Sequence, residues 1–356
     1  MEVARFIVIA LVVAVSVGFY RRTTGDAPGR GASRAAGKLG LLPEDRQDTR
    51  RAAPDPKLDA ASAAAARGRW EPAARLLAGT RERRDWARRS AYAGALGSHR
   101  AIAPNGWLHA WEAAVGADDP DLALVRAKAT VSLAWHQRGG AWAKHTSDEQ
   151  FAGFHSTLVR VPRENERAAE LNPDDPSPYV NEIWAALGLG YPETAMDRIW
   201  EQITDRDPHH YVAHYAALQY WCAKWRGSEE RAVAFAREAA AGAPAGSLLT
   251  ALPLIAWYEH RHGKDTAAAY RSPHVVSMVD AALADVGAAA PDNPNTADVR
   301  HLLAYFLTRQ KRYDLALAQF RLVDGYVDAL PWRYRTDSAA MYCKWRDLAA
   351  RKARTR

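Results

Sequence analysis

Apolar positions follow two different patterns along the chain. From Phe6 to Tyr20, fifteen residues carry no charge and only Ser16 and Gly18 dilute the apolar run, with Arg5 before it and Arg21 and Arg22 after it. At about 1.5 Å per residue a helix of that length spans roughly 22 Å, short of the ~30 Å hydrocarbon core, and Val3, Ala4 and snorkelling arginines extend its reach. The pattern predicts a membrane-inserting segment over residues 1–20. Ala14-Val15-Ser16 would supply the small-x-small site of a cleaved signal. Glu2 in the leading region and two arginines directly after the run favour an uncleaved anchor instead.

Beyond Lys57, apolar residues recur at the three- and four-residue spacing of amphipathic helices. Val299, Leu302, Leu303, Phe306 and Leu307 form one stripe, followed across a short turn by a second, Tyr313, Ala316, Leu317 and Phe320. Asx-Pro steps at Asp119-Pro120, Asn172-Pro173, Asp207-Pro208 and Asn293-Pro294 predict helix starts. The Asx side chain caps free N–H groups, and proline at the first helical position gives up a donor that had no partner. Asn172 and Asp207 are 35 residues apart; Asp207 and Ala243, which also precedes a proline, are 36 apart. Two helices in a period of that length predict a helical repeat array. Further hairpins are predicted over Lys57–Thr80, with Trp70, Ala73 and Leu77 in the second helix, over Pro178–Pro208, and over Pro208–Gly242, whose second helix starts at Ser228-Glu229-Glu230. The 53 residues from Asp119 to Asn172 exceed one period, as does the stretch from Ala243 to Asn293. The first excess holds a loop at Arg138-Gly139-Gly140 and a capping box, Thr146 with Glu149, that opens another helix.

Composition agrees with helix: the chain is rich in alanine and poor in β-branched runs. Residues 21–56 lack periodic apolar spacing and are broken by Gly25, Pro28, Gly29, Gly31, Gly37, Gly40, Pro43, Pro54 and Pro56, which predicts a flexible basic linker. The chain thus divides into a membrane segment (1–20), a linker (21–56) and a helical domain (57–356). The net charge of +7 is uneven: residues 1–100 hold 19 basic against 10 acidic residues, and residues 101–356 hold 29 against 31. An excess beside the membrane segment favours contact of Arg21 and Arg22 with anionic headgroups, and no specific nucleic acid partner is expected. Arg21, Arg22, Arg30, Arg34 and Lys38 outnumber Arg5, which predicts a single-pass protein of the cell membrane with its C-terminal domain in the cytoplasm. Cys222 and Cys343 stand at no metal-binding or scaffold spacing and read as core thiols.

In type and spacing, Leu303-Ala304, Leu307, Tyr313, Ala316, Phe320 and Val323 resemble a tetratricopeptide repeat, with its small residue in the first helix and its alanine and aromatic in the second. Residues Pro178–Pro208 resemble the family through Met196, Trp200, Ile203 and the closing Asp207-Pro208. Met196 and Ile203 stand where the family prefers alanine, which implies a more open hairpin. Trp135, the Thr146 box, Leu171-Asn172-Pro173, Trp225-x-Gly227-Ser228 and Ala234-Phe235-Ala236-Arg237-Glu238 also resemble a bacterial group with irregular repeats of this kind. That second resemblance implies no activity. Together they cover about two thirds of residues 57–356, strongly in one or two units. The fold they imply is all-α, a right-handed α-solenoid of hairpins preceded by an N-terminal transmembrane helix. Family groove positions fall on Asn181 in one unit and on His301, Tyr305 and Arg309 in the last. The family's full clamp of lysines, asparagines and arginine is not matched, so recognition of an acidic C-terminal peptide is not implied.

Residues 210–225 carry apolar side chains on two faces. Tyr211, Tyr215, Leu218 and Cys222 lie on one, and His210, His214, Ala217, Trp221 and Trp225 on the other. Such a helix is either buried on two sides or lines an aromatic groove, where Lys224 would meet a peptide carboxylate. His210 and His214 have the four-residue spacing of a zinc pair, but Tyr211 stands where a protease of that kind has its glutamate, and no third ligand is near in sequence. Tyr258-Glu259-His260-Arg261-His262 reads as a basic helix end before Gly263 rather than a catalytic cluster, since consecutive helical residues point apart. No phosphate loop, dinucleotide fingerprint or nucleophile elbow occurs. These features predict a membrane-tethered scaffold that binds a protein or peptide in a groove, without catalysis, cofactor or metal. Two alternatives stand beside it: a lipid or polyanion binder acting through the basic region 21–100, and an enzyme, such as a hydrolase, whose acid and base converge only in the fold.

Overall fold

The computed structural model describes residues 36–139, 147–261 and 266–353. Among these the fold is all-α, with no strand and one isolated parallel bridge between Asp48 and Tyr326. The chain divides into two compact units: Asp55–Ala239 with residues 292–294, and a second that joins the chain up to Pro54 with Ala240–Pro291 and Asn295–Arg356.

The first unit contains α1 (Pro56–Ala65), α2 (Glu71–Glu82), α3 (Trp86–Leu96), α4 (Trp107–Val115), α5 (Pro120–Arg138), α6 (Asp148–Leu158), α7 (Val161–Leu171), α8 (Ser177–Leu189), α9 (Glu193–Thr204), α10 (Tyr211–Trp221) and α11 (Glu229–Ala241). The second contains α12 (Leu252–Arg261), α13 (Pro273–Ala288), α14 (Thr296–Arg309), α15 (Tyr313–Val323) and α16 (Ser338–Lys352). No helix among the described residues is long and apolar enough to cross a membrane. The apolar run of residues 6–20 and the basic residues Arg21, Arg22, Arg30 and Arg34 lie outside the described residues.

Helices pack in sequence-adjacent pairs, among them α1 with α2, α7 with α8, α8 with α9 and α14 with α15, compatible with a helical repeat fold. In the α14–α15 pair the expected stripe is buried throughout: Val299, Leu302, Leu303, Phe306 and Leu307 face Ala316, Leu317 and Phe320 in the core. The excess lengths are extra helices: α5, α6 and α7 fill Asp119–Asn172, and α12 and α13 fill most of Ala243–Asn293. Within the first unit α3 also touches α8 and α10, a closer arrangement than a stack in which each hairpin meets only its neighbours.

The Asx-Pro steps divide into two uses. Asp119 caps α5, its carboxylate accepting from the amides of Asp121 and Leu122 at 3.0 and 2.7 Å. Asn172 and Asp207 instead open four-residue turns, with the amide of Asp175 bonded to the Asn172 carbonyl at 3.1 Å and that of His210 to the Asp207 carbonyl at 3.3 Å. Asx followed by proline also suits the first two positions of a type I turn, so each helix begins a few residues later than expected. Side chains closing the turns meet the amides that follow: the Asp175 carboxylate accepts from Ser177 N at 2.8 Å, with Pro176 at the cap position of α8, and His210, the cap of α10, accepts through Nδ1 from Ala213 N at 3.2 Å. At the fourth step α14 starts at Thr296 rather than directly after Asn293. The capping box of α6 is likewise shifted by one residue, to Ser147 and Gln150.

Residues 36–54, expected to belong to the flexible linker, are packed into the second unit. Ala36 and Leu41 are buried with Leu317 and Ala350. Asp48 N donates to the Gly325 carbonyl, Val327 N to that of Asp48 and Asp328 N to that of Arg51, each at 2.8 Å. An extended segment that pairs its backbone this way needs no helical periodicity, so its glycines and prolines mark irregular structure rather than freedom.

Candidate functional site

Six of the expected groove residues belong to the first unit, and most of them are structural. Asn181 on α8 is 4% exposed and donates to Asn165 Oδ1 at 2.9 Å. Asn165 in turn donates to Glu182, whose other oxygen accepts from the Tyr191 hydroxyl at 2.8 Å. Burial pushes the Glu182 carboxyl up. The cluster ties α7 to α8.

His210 caps α10 through Nδ1, which leaves Nε2–H to donate towards Ser90 Oγ at 3.1 Å and the Trp86 carbonyl at 3.3 Å. His214 Nδ1 donates to the His210 carbonyl at 3.0 Å, and its ring lies edge-on to Trp200 at 4.8 Å. Burial pushes His214 down to about 4 and lowers His210 as well. Both rings are 4% exposed or less. Neither imidazole can face a peptide, and His210 spends both nitrogens inside the fold. Trp221 and Trp225 are half-buried, the first under the Arg231 guanidinium at 4.7 Å and the second edge-on to Trp135 at 5.6 Å. Lys224 is exposed. The two-faced pattern of α10 therefore reports burial on two sides rather than a groove.

In the second unit, His301 on α14 is fully buried between Trp332 and the carbonyl of Ala52. Tyr305 is 5% exposed, its hydroxyl 3.4 Å from that of Tyr270, and burial pushes its phenol up. Arg309 is half-buried with its guanidinium over the Tyr270 ring. Of the three, Arg309 alone reaches solvent to an extent that a ligand could use.

Two features of this unit went unread in the sequence. One is the ring set around Arg309: Tyr270 and Trp345 lie 39 and 36 residues from it, at separations no motif encodes. The other is the outward side of α15, where Leu315 and Leu322 are 41% and 61% exposed with exposed Ala318 between them. The i, i+3, i+7 spacing of these three was visible beside the buried stripe of the same helix. Tyr258 and His260 on α12 are buried, and His260 Nδ1 bonds the Ala256 carbonyl at 2.8 Å, while His262 lies outside the described residues.

Set against protein-family models, curated proteins and solved structures, the chain matches none.

Proposed function

We propose that the chain is a membrane-tethered helical scaffold that binds a protein or peptide partner and carries out no turnover. The observation that supports this reading is the outward side of α15, where Leu315, Ala318 and Leu322 present an apolar stripe to solvent beside a fully packed inner face. A helix apolar on its solvent side as well as its core side has a second surface to bury. Covering the 41% and 61% of Leu315 and Leu322 still exposed contributes roughly 1.5–3 kcal/mol for the pair, a modest anchor for an interface. With five of the nine sequence-derived groove residues in the core, contact through a face replaces contact through a groove. On this reading the hairpins are irregular tetratricopeptide-like pairs stacked as a solenoid, residues 6–20 span the membrane once, and the helical units lie on the cytoplasmic side.

The test is crosslinking in native membranes with the full chain and with a Leu315→Glu, Leu322→Glu variant, folding being compared by circular dichroism. A partner captured by the wild type and lost by an equally folded variant is expected. Retention of the partner by the variant would sink the α15 assignment. A reporter fused after Arg356 that is active outside the membrane would overturn the cytoplasmic placement.

A further inference from the structure

Arg309, the last residue of α14, lies with its guanidinium carbon 3.9 Å from the Tyr270 ring centroid, 5.5 Å from that of Trp345 and 5.9 Å from that of Tyr305. A guanidinium carries five N–H donors. Among the described residues none of them meets a carboxylate, carbonyl or amide. The end of α14 does not need them: the carbonyls of Phe306, Leu307 and Thr308 already accept from the amides of Gln310, Arg312 and Lys311 at 2.9, 2.9 and 3.0 Å. The neighbouring Arg312, in contrast, pairs with Asp280 at 2.6 Å.

The platform beneath Arg309 is fixed. Tyr270 is 2% exposed, its carbonyl accepts from Gln310 Nε2 at 3.1 Å, and Trp257 stands edge-on to its ring at 4.9 Å. Tyr305 in turn lies edge-on to Trp345 at 5.1 Å. Trp257 and Trp345 are both half-buried, so the surroundings of the cation combine a closed floor with partly open aromatic walls.

We propose that Arg309 is a receptor for a carboxylate carried on a flat apolar group. The rings supply the attraction that holds the cation, and its orientation is settled before any ligand arrives, so a ligand loses less freedom on binding than it would at a mobile arginine. The free donors form a planar fork that matches a carboxylate with two parallel bonds. The fork fits phosphate as well, so what favours the proposed ligand over inorganic phosphate is its flat apolar group packed against the neighbouring rings. The half-buried Trp345, its ring centroid 5.5 Å from the guanidinium carbon, suits an aromatic substituent. This site is independent of the partner reading: it uses no residue of α15 and would take a free acid or the C-terminal carboxylate of a peptide alike.

The test is calorimetric titration of the full chain in detergent with benzoate, with N-acetylphenylalanine as the peptide-end mimic, and with inorganic phosphate. Arg309→Met removes the charge, Arg309→Lys keeps the charge but loses the fork, and Lys57→Met controls for an exposed cation elsewhere. Saturable binding of at least one carboxylate is expected, weakened about tenfold or more by Arg309→Met, partly by Arg309→Lys and not by Lys57→Met. The tighter of the two carboxylates identifies the source, free acid or peptide end. Should Arg309→Met fail to fold, Arg309→Lys carries the comparison. Equal binding by the Arg309 variants, phosphate binding as tightly as either carboxylate, or no saturable binding of either would overturn the proposal.

Discussion

Trp332 donates its indole N–H to Nδ1 of His301 at 3.0 Å, and that bond leaves Nε2–H of the same ring to donate to the Ala52 carbonyl at 3.1 Å. The imidazole is thereby fixed as one neutral tautomer, with no lone pair left for a second proton. Burial pushes His301 down to about 4 and does the same to His214. Unfolded histidine takes up its proton near 6.5, whereas these two resist until about 4. Their stabilising contribution is therefore complete above about pH 6.5 and is lost as the pH falls towards 4, at about 1.4 kcal/mol per pH unit for each ring. Urea unfolding at pH 7, 6 and 5, wild type against a His214→Phe, His301→Phe variant, checks this. The difference between the two isolates the histidines from Glu182, whose raised carboxyl acts in the opposite sense. Parallel pH profiles would refute the neutral-histidine assignment.

Arg89 on α3 is fully buried between two carboxylates, bonding Asp121 at 2.6 Å and Asp175 on its other side, with the Leu77 carbonyl at 3.1 Å as a third acceptor. Arg89→Met leaves buried Asp175 without its cation and Asp121 with only Arg81 at 3.3 Å, and is expected to cost about 3–5 kcal/mol. Adding Asp175→Asn to that variant should recover part of the loss, because the buried charge left without a cation disappears. The readout is a double-mutant cycle in chemical denaturation. Strictly additive costs would show that the two residues do not act as a pair.

The parts of this molecule that were legible in the sequence are those that obey a local period. The stripe from Val299 to Leu307 and its partner from Tyr313 to Phe320 came through because each residue's burial follows from its place on one helix. Burial across several helices leaves no such trace. His210, His214 and Asn181 look like exposed recognition residues in a linear text, but other helices cover them: Ser90 and Trp86 meet His210 Nε2, Asn165 meets Asn181, and Trp200 lies edge-on to His214. The same reason hid the setting of Arg309, whose rings come from three separate segments. Asx-Pro failed differently: the dipeptide is chemically suited to both a cap and a turn, and only the residues after it decide which forms.

Two glycines should respond to alanine in opposite directions. Gly94 lies in α3 with nothing within 4 Å of the position a Cβ would take, so Gly94→Ala gains helix propensity without a clash and should stabilise by about 0.5–1 kcal/mol. A Cβ at Gly227 would fall 1.9 Å from the Trp221 carbonyl oxygen, a backbone atom that cannot swing aside. Gly227→Ala must displace the turn after α10 and should destabilise by roughly 2 kcal/mol or more. Thermal unfolding of the two variants decides it, and a loss at Gly94 or neutrality at Gly227 would contradict the packing described.

Arg346 holds the N-terminal segment onto the second unit. The residue is 2% exposed, and its Nη1 donates to the Leu42 carbonyl at 2.6 Å and to Asp324 at 2.8 Å, while Nε donates to Asp347 at 2.9 Å. Asp324 also accepts from Leu42 N at 2.6 Å and from Gln47 Nε2 at 3.3 Å, so one buried carboxylate and one guanidinium grip the segment together. Arg346→Met leaves Asp324 and Asp347 without their cation, at a cost of about 3–5 kcal/mol. That loss should appear first where the grip was: trypsin should cut earlier at Arg46, Arg50 and Arg51, and the amides of Asp48, Val327 and Asp328 should exchange faster. Amides of α5 and α8, in the other unit, should keep their protection. Asp324→Asn, which retains an acceptor, should show the same pattern more weakly. If trypsin cuts the wild type and Arg346→Met at these arginines equally fast, residues 36–54 are held by their apolar contacts with Leu317 and Ala350 rather than by this ion pair.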